Sequence, residues 1–218
     1  MHRTTHDHRP TLSIERALWA QGHRFVAGVD EAGRGAWAGP VVAAAVILPP
    51  SMDIPPPLLL EVRDSKQLSP AQREQLYEGI LCDAMAVGVG SVPAIEIDRI
   101  GIVAATRQAM ALALAQLRLW PDYLLIDYLQ LPEAAVAQRS FPKADALSVS
   151  VAAASIVAKV RRDRLMVALD SDYPGYGFAR HKGYGTNAHR EALARLGPCP
   201  VHRRSFAPIR RAIEARPR

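Results

Sequence analysis

The sequence predicts an α/β fold in one domain, and three observations carry that expectation. Short apolar runs of strand length come early, helix-length stretches interleave with them later, and no internal repeat is present. Glycine, proline and capping residues punctuate the boundaries between these runs. At 218 residues, 49% hydrophobic and 22% charged, the chain is long enough and apolar enough to bury one sizeable core.

In chain order, residues 1–13 read as a polar tail and residues 14–21 as a short amphipathic helix. The tail histidines His2, His6 and His8 are not read as a metal site. Residues 24–29 and 41–48 are apolar runs joined by Gly33-Arg34-Gly35-Ala36-Trp37-Ala38-Gly39-Pro40, which predicts a strand pair. Pro49, Pro50, Pro55, Pro56 and Pro57 then force a loop, because each removes a backbone donor and restricts its predecessor. Ser69-Pro70-Ala71-Gln72 opens a helix that runs to about residue 84, with serine as N-cap and proline at the first helical position. A strand follows over 86–92, a helix over 101–117 and a short buried strand over 123–127. Residues 150–169 predict a long helix, apolar in its first half and basic in its second, and 186–196 a further helix stopped by Gly197-Pro198.

Charge is distributed unevenly. From Lys159 to Arg218 there are 14 Lys and Arg against 5 Asp and Glu, a net +9, whereas residues 1–158 hold 13 against 16, a net −3. A basic end suits a polyanion and an acidic remainder suits cations, with Lys159, Arg161, Arg162, Arg180 and Lys182 as candidate phosphate contacts. No apolar run is long enough to span a bilayer, and the N-terminal residues lack the pattern of a secretory signal. Cys82 and Cys199 lie far apart without metal-ligand spacing, so they read as reduced thiols in a cytoplasmic protein.

The chemistry-bearing residues are acids at the ends of apolar runs. Asp30 and Glu31 follow Phe25-Val26-Ala27-Gly28-Val29, and carboxylates there are costly unless something compensates them. Neighbouring side chains on a strand point to opposite faces, so for both to serve one site the strand should end or bulge there. Asp127 ends the run 123–127, and Asp145 precedes the long helix, where it also has the place of a helix cap. Taken singly, each acid reads equally as a cap, a turn residue or a surface ion pair; taken together, an oxygen-rich set suits Mg²⁺ or Mn²⁺. Gly33-Arg34-Gly35 belongs to no nucleotide fingerprint, but it permits close backbone approach to a ligand, with Arg34 directed at a phosphodiester or sugar hydroxyl. The stretch 173–186 mixes tyrosines, basic residues and glycines, a composition able to stack on sugars or bases while contacting phosphates.

Five blocks in this order resemble ribonuclease HII, the type 2 ribonuclease H family: Gly28-Val29-Asp30-Glu31-Ala32-Gly33-Arg34-Gly35, Asp64-Ser65-Lys66-Gln67-Leu68-Ser69, Ala152-Ala153-Ala154-Ser155-Ile156-Val157-Ala158-Lys159-Val160, His181-Lys182-Gly183-Tyr184-Gly185-Thr186 and His202-Arg203-Arg204-Ser205-Phe206. The resemblance runs from about Phe25 to Pro208. It implies an RNase H-like fold, a central mixed β-sheet flanked by helices with a helical C-terminal region. Residues 1–23 would then be a tail and short helix, and 24–218 a single catalytic domain with a basic helical C-terminal part.

The resemblance also implies that Asp30, Glu31, Asp127 and Asp145 are catalytic ligands of Mg²⁺ or Mn²⁺, two ions per site with substrate bound. It implies that Gly33, Arg34 and Gly35 read the ribose 2′-hydroxyl from the backbone. Tyr184, ahead of Tyr176, would recognise the ribonucleotide junction, and Lys66, Lys159 and Lys182 would bind substrate. The implied substrates are RNA in RNA/DNA hybrids and single ribonucleotides in duplex DNA, cut on the 5′ side to leave 3′-hydroxyl and 5′-phosphate ends. The implied roles are ribonucleotide excision and primer removal, by a monomer.

Departures from the family pattern fall at Ala36 and Trp37, where proline and leucine are common, at Tyr128, where glycine often follows the third acid, and at Ala144, where glycine often precedes the last. Three alternatives stand beside this reading: a ribonuclease HIII-like nuclease, a non-catalytic hybrid-binding module, and a metal-dependent phosphohydrolase of small substrates. The first is disfavoured by the short stretch before the first strand and by an aspartate at position 145, the second by the presence of all four acids.

Overall fold

The structure is a computed structural model that describes residues 9–50 and 68–215. Its centre is a five-stranded mixed sheet built from β1 (Val26–Ala32), β2 (Val41–Ile47), β3 (Ala86–Val92), β4 (Tyr123–Asp127) and β5 (Ala137–Phe141), in the order β3-β2-β1-β4-β5. β1, β2 and β3 form an antiparallel meander, while β4 lies parallel to β1 and β5 parallel to β4. The helices are α1 (Ser13–Ala20), α2 (Pro70–Asp83), α3 (Ala94–Ile100), α4 (Ile102–Ala115), α5 (Val149–Asp172), α6 (Phe178–His181), α7 (Asn187–Leu196) and α8 (Ala207–Glu214).

Alternation along the strands sorts the core into two layers. Ala27, Val29, Ala43, Ala45 and Ile47 face α4, packing on Ala105, Ala109 and Met110. Ala44, Val46 and Leu48 face α5 and α2, packing on Ala153, Val157, Tyr77 and Ile80. β2 therefore has all seven residues buried, the signature of a strand covered on both sides. The small residues opening α5, Ser150 to Ser155, let that helix lie almost on β1. A Cβ on Gly28 would stand 2.1 Å from the Ser150 carbonyl carbon, so only glycine permits this approach. The sheet thus holds the N-terminal half of α5 directly against the strand that carries Asp30 and Glu31.

Local chemistry sets the helix starts. Ser69 caps α2 through a reciprocal box with Gln72, with Pro70 at the first helical position, as its sequence predicts. Ser148, rather than Asp145, caps α5 by accepting from the Val151 N–H, which leaves Asp145 in a separate 3₁₀ turn over Ala144–Ala146. Thr186 caps α7.

Four elements appear where the sequence reading had placed none, among them the single turn α6 within the stretch 173–186. β5 is a polar edge strand, α3 is a short helix that buries Ala94 and Ile97, and α8 gives a definite range to the helical C-terminal part that the resemblance implies. β1 extends through Asp30 and Glu31 to Ala32 with an unbroken ladder to β2, so the expected strand end or bulge at the two acids is absent. Pairing with Ala44 and Ala43 on β2 keeps the ladder regular there.

Candidate active site

β1 and β4 run parallel with Val29 opposite Ile126, so Asp30 and Asp127 leave neighbouring strands at their C-terminal ends, where open α/β sheets gather ligands. By the pleat, both share the α5 side of the sheet with Leu125, Val26 and Val151. Asp127 Oδ1 accepts from the Ala144 N–H at 2.8 Å, which fixes the turn carrying Asp145 beside it. Glu31 takes the alternate pleat, and its carboxylate lies 3.8 Å from Arg34 Nη1.

Asp30 is the buried member, 6% exposed, while Asp127 and Asp145 are half-exposed. Its carboxyl is raised well above the usual range, first by burial, then by the charges of Glu31, Asp127 and, less, Asp145; a hydrogen bond from the Glu31 N–H at 2.6 Å opposes this. Three carboxylates therefore act on Asp30 although no single strand or turn carries them all.

Two left-handed residues flank the cluster: Tyr128, with φ 60°, follows Asp127, and Lys143, with φ 59°, precedes the turn of Asp145. Left-handed backbone favours glycine, so Tyr128 occupies a position whose conformation explains why glycine suits it. The Tyr128 ring lies under the Arg34 guanidinium, 5.3 Å from its centroid, so Arg34 rests against Tyr128 and Glu31.

Among the described residues no group of three or more His, Cys, Asp or Glu side chains closes into a ready-made metal cage. The donor set nevertheless fits a hard divalent cation, which takes one or two carboxylates and keeps several waters. Acids crowded enough to raise Asp30 are a site where added positive charge lowers the free energy.

Gly33 follows β1 directly, with φ 88°, and a Cβ there would stand 1.8 Å from Arg162 Nε. Gly35 is exposed, with open space around it. Tyr184 is half-buried, with the Arg162 guanidinium 5.3 Å and Lys159 Nζ 5.8 Å from its ring centroid. Lys159, Lys182 and Tyr184 line one groove of about 600 Å³ together with Arg73, Arg164 and Arg180. Lys159 donates to Asp163 at 2.7 Å and has its pKa lowered by burial; Lys182 donates to the Ala179 carbonyl. Lys66 lies outside the described residues. Tyr176 is buried, and its hydroxyl donates to the Gly197 carbonyl at 2.5 Å, a structural use.

Arg162 corrects the sequence reading. Expected to contact phosphate, it is fully buried and donates to the carbonyls of Pro40, Lys182 and Ala38. Arg203, not singled out from sequence, is equally buried. Neither position announces itself locally, because what buries these guanidiniums is the meeting of three distant segments. The one available signal is the tight spacing of glycines in the turn that receives them.

The sheet order, the helices on both faces and the acids at adjacent strand ends define an RNase H-like protein. Comparison with known proteins narrows the class. The ribonuclease HII family profile matches residues 27–209. Ribonuclease HII of Chloroflexus aurantiacus is 54% identical over 204 residues, covering 94% of this chain and 96% of its own length. That of Chloroflexus aggregans is 56% identical over 200 residues, covering 92% and 94%. The crystal structure of ribonuclease H2 from Pyrococcus horikoshii superposes with a TM-score of 0.72 at 30% identity, over 87% of this chain and 97% of that one.

The chain belongs to the ribonuclease HII family. It is thereby a metal-dependent endoribonuclease acting on the RNA strand of RNA/DNA hybrids, which sets aside the non-catalytic and small-substrate alternatives, and the ribonuclease HIII-like one with them. No described helix is long and apolar enough to cross a membrane.

Proposed function

We propose that this enzyme, besides digesting hybrids, cuts duplex DNA on the 5′ side of a single embedded ribonucleotide, leaving 3′-hydroxyl and 5′-phosphate ends, with Mg²⁺ or Mn²⁺ as cofactor. The observation that carries this reading is the continuity of the site: the acids of β1 run without a break into the glycine turn, and Arg162 lies against both Gly33 of that turn and the ring of Tyr184. In this reading Asp30, Glu31, Asp127 and Asp145 hold the divalent ions. When bound, such ions supply the acidity that makes water a nucleophile at neutral pH and the positive charge that stabilises the departing 3′-oxygen.

The remaining work falls to the chain itself. Backbone N–H groups of Gly33 to Gly35 face the 2′-hydroxyl, the group that distinguishes RNA from DNA at one position. Tyr184 packs against the ribose at the junction, and Lys159 and Lys182 neutralise phosphates along the groove, with Lys66 adding to that charge. The protein is proposed to act as a cytoplasmic monomer in ribonucleotide excision and primer removal.

The test is cleavage of a labelled DNA duplex bearing one ribonucleotide, with Mg²⁺, with Mn²⁺ and with chelator, beside an all-DNA control. A single metal-dependent cut 5′ to the ribonucleotide is expected, and Tyr184→Ala is expected to weaken that cut more than hybrid digestion. Hybrid digestion without any cut at the single ribonucleotide would contradict the roles given to the glycine turn and Tyr184.

A further inference from the structure

Arginine is almost never fully buried unless paired, yet Arg162 and Arg203 are both 0% exposed. Their hydrogen bonds go to backbone carbonyls. Arg162 donates through Nε to Pro40 at 2.9 Å, through Nη1 to Lys182 at 3.0 Å and through Nη2 to Ala38 at 3.1 Å. Arg203 donates through Nε to Gly39 at 3.0 Å and through Nη1 to Arg34 at 2.9 Å, while its Nη2 is buried without a partner. The two forks thus gather the Arg34 carbonyl of the glycine turn, the carbonyls of Ala38, Gly39 and Pro40 just beyond it, and that of Lys182 in the segment leading into Tyr184, while Arg162 also lies against Gly33 and the Tyr184 ring.

Backbone bonds tie the same segments together. The Trp37 N–H donates to Gly183 at 2.8 Å, and the Arg203 N–H to Trp37 at 2.8 Å. The peptide joining Arg34 to Gly35 is trans and planar, so its C=O and N–H point in opposite directions. With the Arg34 carbonyl turned inward onto Arg203, the Gly35 N–H is turned outward, on the exposed side of the turn.

We propose that Arg162 and Arg203 are positioning residues for ribonucleotide discrimination: from beneath, they lock the glycine turn and Tyr184 into one frame, so that the outward Gly35 N–H and the tyrosine ring meet a 2′-hydroxyl at a fixed separation. This rests on the reading of Gly33 to Gly35 and Tyr184 given above. Lysine is no substitute, since a point charge on a flexible stem cannot hold several carbonyls in fixed directions as a planar fork does. Stability alone does not explain the pair, because buried charges are costly and apolar residues of similar size often serve stability as well or better. Burial, and next the charge of Arg162, push the Arg203 pKa down to about 9, so it remains cationic at neutral pH.

The test compares wild type, Arg162→Lys and Arg203→Lys by kcat/KM on two substrates, the single-ribonucleotide duplex and a long RNA/DNA hybrid, with folding followed by near-UV circular dichroism. Each variant is expected to lose about tenfold or more on the single ribonucleotide, the scale of a small misplacement in a reading site, while hybrid digestion is largely kept. An equal loss on both substrates in a folded variant, or an unchanged ratio, would overturn the proposal. So would failure of both variants to fold, since the residues would then serve stability alone. Wild type separates this from the underlying reading: if it does not cut at the single ribonucleotide, the reading of the turn and Tyr184 fails on its own.

Discussion

Asp30 shows the tension at the scale of a residue. Burial and three neighbouring acids disfavour its charged form, so the position is a poor one for stability and a good one for holding a cation. Asp30→Asn removes the repulsion, keeps nearly the same shape and still accepts from the Glu31 N–H. We expect turnover to fall at least about 100-fold, the cost of losing a preorganised charge in an active site, while the thermal midpoint stays level or rises. Calorimetry beside a turnover assay decides it; a midpoint lowered in step with the activity would make Asp30 a structural residue. Asp30, Glu31 and Asp127 were legible in the sequence because a charge at the end of an apolar run stands out. Arg162 was legible only as a positive charge, since the carbonyls that bury it come from residues about 120 positions earlier and 20 later.

Elements were legible where they carry their own signals and hidden where the tertiary structure supplies them. α2 and α7 declare themselves by serine and threonine caps, and β2 by an unbroken apolar run. β5, Ala-Gln-Arg-Ser-Phe, has no strand pattern and exists because β4 offers it a parallel ladder. α1 was legible as an amphipathic helix, yet its use was not. Glu15 on α1 is fully buried and accepts at Oε1 from Ser148 Oγ at 2.6 Å, the Ser150 N–H at 2.9 Å and Ser150 Oγ at 2.8 Å. The Thr11 N–H adds a bond to the Leu147 carbonyl. α1 therefore fastens the start of α5, whose cap Ser148 lies three residues beyond Asp145. Glu15→Ala strands those buried donors and is expected to cost about 3 kcal/mol, read as a lower urea midpoint, with a loss of turnover measured well below that midpoint. A variant of unchanged midpoint and activity would show that α1 does not hold the site.

At the scale of the whole molecule, a buried set of titratable groups in the basic C-terminal third links stability to pH. His181, His189, His202 and Cys199 lie buried around Phe178, and their hydrogen bonds fix the protons. The Cys199 N–H donates to His202 Nδ1, so His202 donates from Nε2 to His189 Nε2, whose Nδ1–H goes to the carbonyl of Tyr184. Burial is the first cause that lowers both His189 and His202 from 6.5 to about 4; for His202 the charge of His189 comes next, whereas for His189 the bond to the Tyr184 carbonyl opposes the shift and the charge of His181 adds less to it. Between those values the unfolded chain binds more protons than the folded one, so stability is full above about pH 6.5 and falls as the pH falls toward 4. Denaturation midpoints measured from pH 7.5 to 4.5 should decline over that window, and His202→Gln should flatten the decline; a curve equally steep in the variant would assign it to other groups.

The acids at the ends of β1 and β4, with Asp145 beside them, are proposed to hold the divalent ions of this endoribonuclease. Mn²⁺ titration of the full chain with uncleaved hybrid, followed by electron paramagnetic resonance, measures that binding without relying on turnover. Wild type is predicted to bind Mn²⁺ saturably and Asp127→Asn to lose most of that binding while keeping its fold. Equal Mn²⁺ binding by the two would contradict the claim and move the metal site elsewhere.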